Sequence, residues 1–116
     1  MADLIKIAAT AADNEGALWT LEASDDLNAN LVSFRAGRGV GEHANTEVDV
    51  LLIGMAGSGV ISVNGVEHQV YPGVLVLVPN GVRRAIRSSS DDFSYLTVHQ
   101  RRGPLRLGTV RKVEEG

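Results

Sequence analysis

Four polar residues alternate with other residues just ahead of an apolar run in the segment GEHANTEVDVLLIGMAG. His43, Asn45, Glu47 and Asp49 occupy every second position. In a β-strand, alternate side chains point to the same face. An imidazole, an amide and two carboxylates on one face could ligate a metal ion, bind a polar molecule, or only hydrogen-bond the end of a strand. The spacing alone leaves these three interpretations open.

Length and glycine content indicate the elements that position these residues. The chain has 116 residues, which suits one domain, and 13 glycines among many Val, Leu and Ile residues. Turn signals recur about every 8 to 12 residues, a pattern typical of an all-β sandwich or barrel. We expect one domain over residues 1–116, with an N-terminal arm at 1–16 and a C-terminal tail or edge strand at 101–116.

Specific turn residues predict where the strands end. Asn64-Gly65 between two β-rich runs predicts a type I′ hairpin, and Tyr71-Pro72-Gly73 and Pro79-Asn80-Gly81 predict further turns. Residues 37–41 read as a loop, and any helix is expected only within residues 6–15. The predicted strands cover residues 17–23, 30–36, 41–55, 59–63, 66–71, 74–78, 82–87 and 93–100.

Composition excludes several classes of function. The chain has no cysteine, so disulfides, thiolate zinc sites and thiol nucleophiles are excluded. The formal charge of −3 argues against nucleic acid as a partner. No apolar run is long enough to span a membrane, and the N-terminal sequence lacks the features of a signal peptide. We therefore expect a cytoplasmic protein with neither a nucleic acid nor a membrane partner, and a solvated basic C-terminal segment.

The glycines and the first polar cluster resemble the first motif of the cupins. Cupins are small β-barrels in which this motif reads G-x5-H-x-H-x3,4-E-x6-G. Here Gly37 and His43 stand at the expected distance, Asn45 replaces the second His, and Asp49 replaces the Glu. Gly57 comes one residue later than the pattern asks.

The second cupin motif, G-x5-P-x-G-x2-H-x3-N, aligns with the next part of the chain. Gly73, Pro79 and Gly81 match with intact gaps, whereas Arg84 stands in place of the His and Ser88 in place of the Asn. The two motifs span residues 37–88, which would form the core of the domain. The resemblance implies an all-β, single-domain cupin, that is, a double-stranded β-helix or jelly-roll-like antiparallel β-barrel.

The residues that depart from the two motifs decide whether a bound metal ion is expected. Metal-bearing cupins offer three imidazoles and one carboxylate, but an arginine has no lone pair to give. The alignment places Arg84 on the inner face, together with Val82 and Ile86. At about 5 Å and an effective dielectric near 20, a guanidinium would repel a divalent ion by about 6–7 kcal/mol and attract a carboxylate by about 3 kcal/mol. We therefore expect a pocket without metal or other cofactor.

The expected function is non-catalytic binding of a small polar or anionic molecule at the mouth of the barrel. The predicted ligand-binding residues are His43, Asn45, Glu47, Asp49 and Arg84, with Arg84 as a bidentate anchor. One alternative is a metal-dependent enzyme, similar to cupin dioxygenases or isomerases, that uses His43, Asn45 or Glu47, and Asp49. Another is a metal-free enzyme in which His43 shuttles a proton and Asp49 orients it. Whether any reaction is catalysed stays open.

Two further predictions concern the strand faces. The runs VDVLLIG and VLVLV are apolar on both faces, so one face is left for a second sheet or a partner chain, and cupins commonly pair their barrels; we therefore expect a homodimer. Tyr95 and His99 share a face with Phe93 and Thr97, and would reach the pocket only if that face points inward. His68 is expected at the surface or at the dimer contact.

Overall fold

Nine strands and one short helix make up the part of the chain that the computed structural model describes, residues 1–11, 14–45 and 47–101. The elements are α1 (Leu4–Ala8), β1 (Gly16–Thr20), β2 (Leu27–Phe34), β3 (Gly39–Ala44), β4 (Val50–Ala56), β5 (Gly59–Val63), β6 (Val66–Val70), β7 (Leu75–Val78), β8 (Arg83–Ser88) and β9 (Phe93–Gln100). The predicted tail from residue 102 onward lies outside the described residues.

The strands form two antiparallel sheets that pack face to face. The large sheet has the order β1-β2-β9-β4-β7 and the small sheet the order β3-β8-β5-β6. Their inner faces share one apolar core, because the buried cluster takes Leu52, Phe93 and Tyr95 from the large sheet and Ile61 and Ile86 from the small one. This arrangement is the sandwich that the turn spacing predicts.

The predicted turns are confirmed by backbone geometry. Asn64 and Gly65 both have positive φ, 53° and 84°, as a type I′ hairpin between β5 and β6 requires. After Pro72, Gly73 has φ 93°, and the amide of Val74 donates to the Tyr71 carbonyl at 3.0 Å. This is the type II geometry that a Pro-Gly pair favours.

The long strand predicted over residues 41–55 is wrong. The chain forms β3 in the small sheet, turns, and then forms β4 in the large sheet. The Asn45 side chain makes the turn, since its Oδ1 accepts from the amides of Glu47 at 2.9 Å and Val48 at 3.3 Å. Such an Asx turn competes with strand hydrogen bonding. The loop predicted at 37–41 is also wrong in part, because β3 begins at Gly39.

The helical segment begins earlier than predicted. Asp3 precedes α1, and its carboxylate accepts from the amide of Lys6 at 3.2 Å, so the helix starts at Leu4 rather than at residue 6 or later. Ala8 is buried. The described residues contain no helix with the length and hydropathy that crossing a bilayer requires.

The outer face of the large sheet is apolar at one edge. β7 is an edge strand, and Leu75 and Leu77 are 56% and 52% exposed on it. In the ladder they lie opposite Ile53 and Leu51 of β4, which are half-buried. The sequence expectation that β4 and β7 have more apolar surface than the core uses is confirmed for these residues.

Gly39 sets how closely β3 approaches β8, and we predict that Gly39→Ala is strongly destabilising. A Cβ at residue 39 would lie 1.9 Å from the backbone oxygen of Ile86, a contact that no side-chain rotation relieves. We expect a loss of about 3 kcal/mol in the free energy of unfolding. Urea denaturation would measure it.

Gly41→Ala in the same strand is the matched control. A Cβ there meets no atom within 4 Å, so this variant should change the stability little. Equal stabilities for the two variants would contradict the close approach of β3 and β8.

Candidate functional site

Two crossovers between the sheets bring the candidate residues to one end of the sandwich. At this end β3 and β7 stop and β4 and β8 begin; we call it the mouth. In the β3–β8 ladder, His43 lies directly opposite Arg84. The connection after β3 and the turn before β8 touch, because the amide of Gly81 donates to the carbonyl of Asn45 at 2.6 Å.

Arg84 points from β8 towards the interior at the mouth. Ile86 on the same face belongs to the buried core, whereas Arg83 and Arg87 on the opposite face are exposed. β8 pairs with β5 without a register shift, so the alternation holds along the strand. Arg84 is half-buried, and its Nη1 atom is buried. The inner position predicted for this residue is confirmed.

The charge of Arg84 acts on a buried phenol. Burial raises the pKa of Tyr95 well above its usual value, and the positive charge of Arg84 lowers it in part. The positive charge of Arg84 on the small sheet therefore acts on a phenol of the large sheet, and this phenol stays protonated across the physiological range. Tyr95 is 4% exposed and packs against Phe93, with 5.3 Å between ring centroids.

Asn45 is buried at the mouth, with one half of its amide engaged. The residue is 6% exposed, and its Oδ1 holds the turn between β3 and β4. Its Nδ2 is buried and has no hydrogen-bond partner among the described residues. A buried amide donor left without an acceptor costs free energy. This donor is therefore a polar group that a ligand oxygen could satisfy.

The acidic residues lie further out than the alternating pattern predicts. Asp49 is exposed, and its Oδ1 accepts from the Asn80 backbone amide at 2.8 Å and from the Asn80 side chain at 3.0 Å. Its carboxylate thus holds the turn before β8. Glu47 is exposed as well, just after the Asx turn.

His43 is exposed on β3, and its Nδ1 lies 2.9 Å from the carbonyl oxygen of Gly41. Its ring is therefore oriented by a backbone carbonyl rather than by Asp49, whose carboxylate bonds to Asn80. His43 lies in β3 of the small sheet, whereas Asp49 follows the turn and directly precedes β4 of the large sheet. The His43–Asp49 couple of the metal-free enzyme alternative is not formed.

Sequence reasoning missed two residues on the large sheet. Asn28 and Asn30 lie directly opposite His99 and Thr97 in the β2–β9 ladder. They share the face of Tyr95, which belongs to the core, so all four side chains are on the inner face. The alternation of two asparagines in LNANLVSF was a visible signal, but without the register it did not distinguish inside from outside. His68 is exposed on β6, as predicted.

The donor set at the mouth does not fit a transition metal of the kind that metal-bearing cupins hold. Among the described residues, no three His, Asp or Glu side chains come together in a group that could hold an ion. The Asn45 and Asp49 oxygens already accept hydrogen bonds within turns. Arg84, opposite His43, adds a fixed positive charge with no lone pair. The reduced ligand set that the sequence allows is therefore not assembled.

A shallow groove of about 330 Å³ lies elsewhere, on the outer face of the small sheet. Its lining includes Gly39 and Gly41 of β3, Val60 of β5, and Ala85 and Arg87 of β8. None of the predicted ligand-binding residues lines it.

Comparisons with known proteins identify the fold. No protein-family model matches the sequence, and no curated protein sequence matches it. Solved structures do match. KdgF from Halomonas sp. aligns with a TM-score of 0.68 at 18% identity, over 73% of this chain and 77% of KdgF. A cupin protein from Bacteroides fragilis aligns with a TM-score of 0.65 at 19% identity, over 85% of this chain and 92% of that protein.

A cupin superfamily protein from Desulfitobacterium hafniense aligns with a TM-score of 0.63 at 25% identity, over 71% of this chain and 73% of that protein. Together with the two antiparallel sheets, these likenesses establish that the chain has an all-β cupin fold. The resemblance inferred from glycine and proline positions is confirmed. At this level of identity the likenesses define the fold and not the roles of the site residues.

The raised pKa of Tyr95 predicts a loss of stability in alkali. In the unfolded protein the Tyr95 phenol ionises near the ordinary tyrosine pKa of about 10. In the folded protein its pKa is higher, so the phenol is still protonated at that pH. The contribution of Tyr95 to the free energy of unfolding is therefore fully present below pH about 10 and decreases as the pH rises above that value. Relative to Tyr95→Phe, the wild-type protein should lose about 1 kcal/mol of unfolding free energy between pH 10 and 11.

Urea denaturation of both proteins at each pH measures this difference, and other titrating groups cancel because both proteins contain them. If the free energies of unfolding of the two proteins changed in parallel with pH, the phenol would not be shielded from water.

Proposed function

We propose that this protein is a small non-catalytic cupin that binds a small polar or anionic molecule at the mouth without a metal ion. Arg84 anchors the anionic group, and His43 and Asn45 orient the molecule. The observation that carries the proposal is the inward position of a guanidinium, opposite His43 in the β3–β8 ladder and on the same strand face as the core residue Ile86.

The hydrogen-bonding character of the mouth supports an acceptor ligand. A guanidinium offers only donors, and its planar fork matches the two oxygens of a carboxylate or phosphate. The unsatisfied Nδ2 of Asn45 is a further donor. An oxygen-rich anion could accept hydrogen bonds from both groups, whereas the charge of Arg84 would repel a bare cation.

The acidic residues have different roles in this proposal. Asp49 fixes the turn before β8 through Asn80 and so holds the start of the strand that carries Arg84. Glu47 lies at the exposed rim, where a carboxylate favours ligands that present a donor on their outer side. Both residues therefore shape the mouth from its edge.

The anchor role predicts that Arg84→Ala abolishes the response to anions. Thermal unfolding would be followed with a panel of small anions, including succinate, citrate and inorganic phosphate. A ligand that raises the unfolding temperature of the wild-type protein should leave that of Arg84→Ala unchanged, because the charge-assisted bonds are lost.

Arg83→Ala is the matched control, since Arg83 is the neighbouring residue on the outward face and pairs with Glu42 at 3.2 Å. It should keep the full response. A response that survives Arg84→Ala would overturn the proposal, whatever the behaviour of Arg83→Ala. Near-stoichiometric iron, manganese or zinc in protein purified without a His-tag, lost in His43→Ala, would favour the metal-dependent enzyme instead.

We further propose that two copies pair through the outer face of the large sheet at β7. Leu75 and Leu77 are more than half exposed there, and β7 pairs with β4 on one side and with no other strand of the described residues. Large exposed aliphatic side chains on an edge strand favour association with another chain.

The pairing predicts a mass of twice the 12.3 kDa chain in light scattering at micromolar concentration. The double variant Leu75→Lys, Leu77→Lys should be monomeric, because lysines opposite a second copy repel it. The variant Val66→Lys, on the edge strand of the small sheet, is the control and should remain dimeric. A monomeric wild-type protein would contradict this pairing.

A further inference from the structure

The inner face of the large sheet changes from apolar to polar along β2 and β9. Four directly opposed pairs follow one another on this face of the ladder. The first two are apolar or aromatic and belong to the core or pack against it. The next two are polar. In order, the pairs are Phe34 with Phe93, Val32 with Tyr95, Asn30 with Thr97, and Asn28 with His99.

The polar pairs lie at the mouth. His99 is also opposite Val50, the first residue of β4, and Val50 is opposite Val78, the last residue of β7. The mouth is where β4 begins and β7 ends. We call Asn28, Asn30, Thr97 and His99 the polar band. It lies on the large sheet at the same end of the sandwich as Arg84 on the small sheet.

The described residues leave part of the hydrogen-bonding capacity of the polar band unused, although His99 Nδ1 lies 2.9 Å from the Gln100 carbonyl oxygen. All four side chains are half-buried. Asn30 accepts from the Thr20 hydroxyl at 2.8 Å and reaches Asn28 Oδ1 only at 3.5 Å. Among the described residues, no group bonds to the Thr97 hydroxyl or to the Asn28 Nδ2. The inner face of a small sandwich is ordinarily apolar, so these amides and hydroxyls forgo the free energy of burying aliphatic side chains.

Resting on the proposed function, we propose that the ligand is a small carboxylate that carries several hydroxyl groups, and that the polar band binds those hydroxyls. Arg84 holds the carboxylate. The amide and hydroxyl side chains of the band donate as well as accept, and a ligand hydroxyl also does both.

The same band disfavours a carboxylate with an apolar chain. Such a ligand would displace water from Asn28, Asn30 and Thr97 without replacing the hydrogen bonds of that water. Leaving buried polar groups without hydrogen-bond partners costs more binding free energy than losing one favourable contact. Selectivity for the hydroxylated ligand therefore comes from the large sheet, whereas attraction of the anion comes from the small one.

The test compares three probes by isothermal titration calorimetry. Gluconate carries a carboxylate and five hydroxyls on six carbons, hexanoate has the carboxylate and chain length without hydroxyls, and glucitol has the hydroxyls without the charge. We expect gluconate to bind at least about tenfold more tightly than hexanoate and than glucitol.

Single variants assign the selectivity to the band. Thr97→Val removes the hydroxyl at constant shape, and Asn28→Ala removes the amide. Each should weaken gluconate binding about three- to tenfold and leave hexanoate binding unchanged, a split that general destabilisation would not produce. Gln100→Ala truncates an exposed amide next to His99 and is the control. It should leave the affinities for gluconate and for hexanoate unchanged.

The outcomes separate this inference from the proposed function. Equal affinities for gluconate and hexanoate, both lost in Arg84→Ala, would overturn the role of the polar band and keep the anion anchor. Gluconate binding that survives Arg84→Ala would overturn the anchor and, with it, the assignment of a carboxylate ligand. No detectable gluconate binding would overturn the inference directly.

Discussion

A permanent positive charge inside one end of a small sandwich is the constraint on which the site depends. A guanidinium does not lose its proton when it is buried, so its surroundings have to accommodate the charge. Arg84 is carried inward by the same strand alternation that buries Ile86 in the core. Its effect reaches the opposing sheet, where it counteracts part of the shift that burial imposes on the Tyr95 phenol.

The polar side chains around this charge stabilise turns or present hydrogen-bond donors, and they are not arranged as metal ligands. Asn45 uses its oxygen to turn the chain and keeps its nitrogen buried. Asp49 uses its carboxylate to hold the turn at Asn80. The same residue types that could ligate an ion on one regular strand are therefore committed to a crossover between two sheets. The fold is that of a cupin, and the ligand that we propose for its mouth is an oxygen-rich molecule rather than a metal ion.

Strand and turn predictions succeeded where local chemistry decides the backbone. Asn64-Gly65 adopts the positive φ values that only such residues tolerate readily, and Gly73 does so after Pro72. The prediction failed at residues 45–49, because an asparagine followed by polar residues is compatible with both an extended strand and an Asx turn. Which one forms depends on the sheets that the flanking segments join.

The site was predicted only in part for the same reason. The inward position of Arg84 followed from motif spacing and alternation, but the common face expected for His43, Asn45, Glu47 and Asp49 did not survive the crossover.

The sequence by itself determined an all-β fold with its hairpin and turns, and an arginine at the position where the cupin motif has an imidazole. Those features depend on residues close in the chain. Only the tertiary structure decided that Asn28 and Asn30 face the interior beside Thr97 and His99, and that the charge of Arg84 acts on the buried Tyr95 phenol. These relations depend on ladder register and on the packing of two sheets, which join residues far apart in the sequence and leave no local pattern.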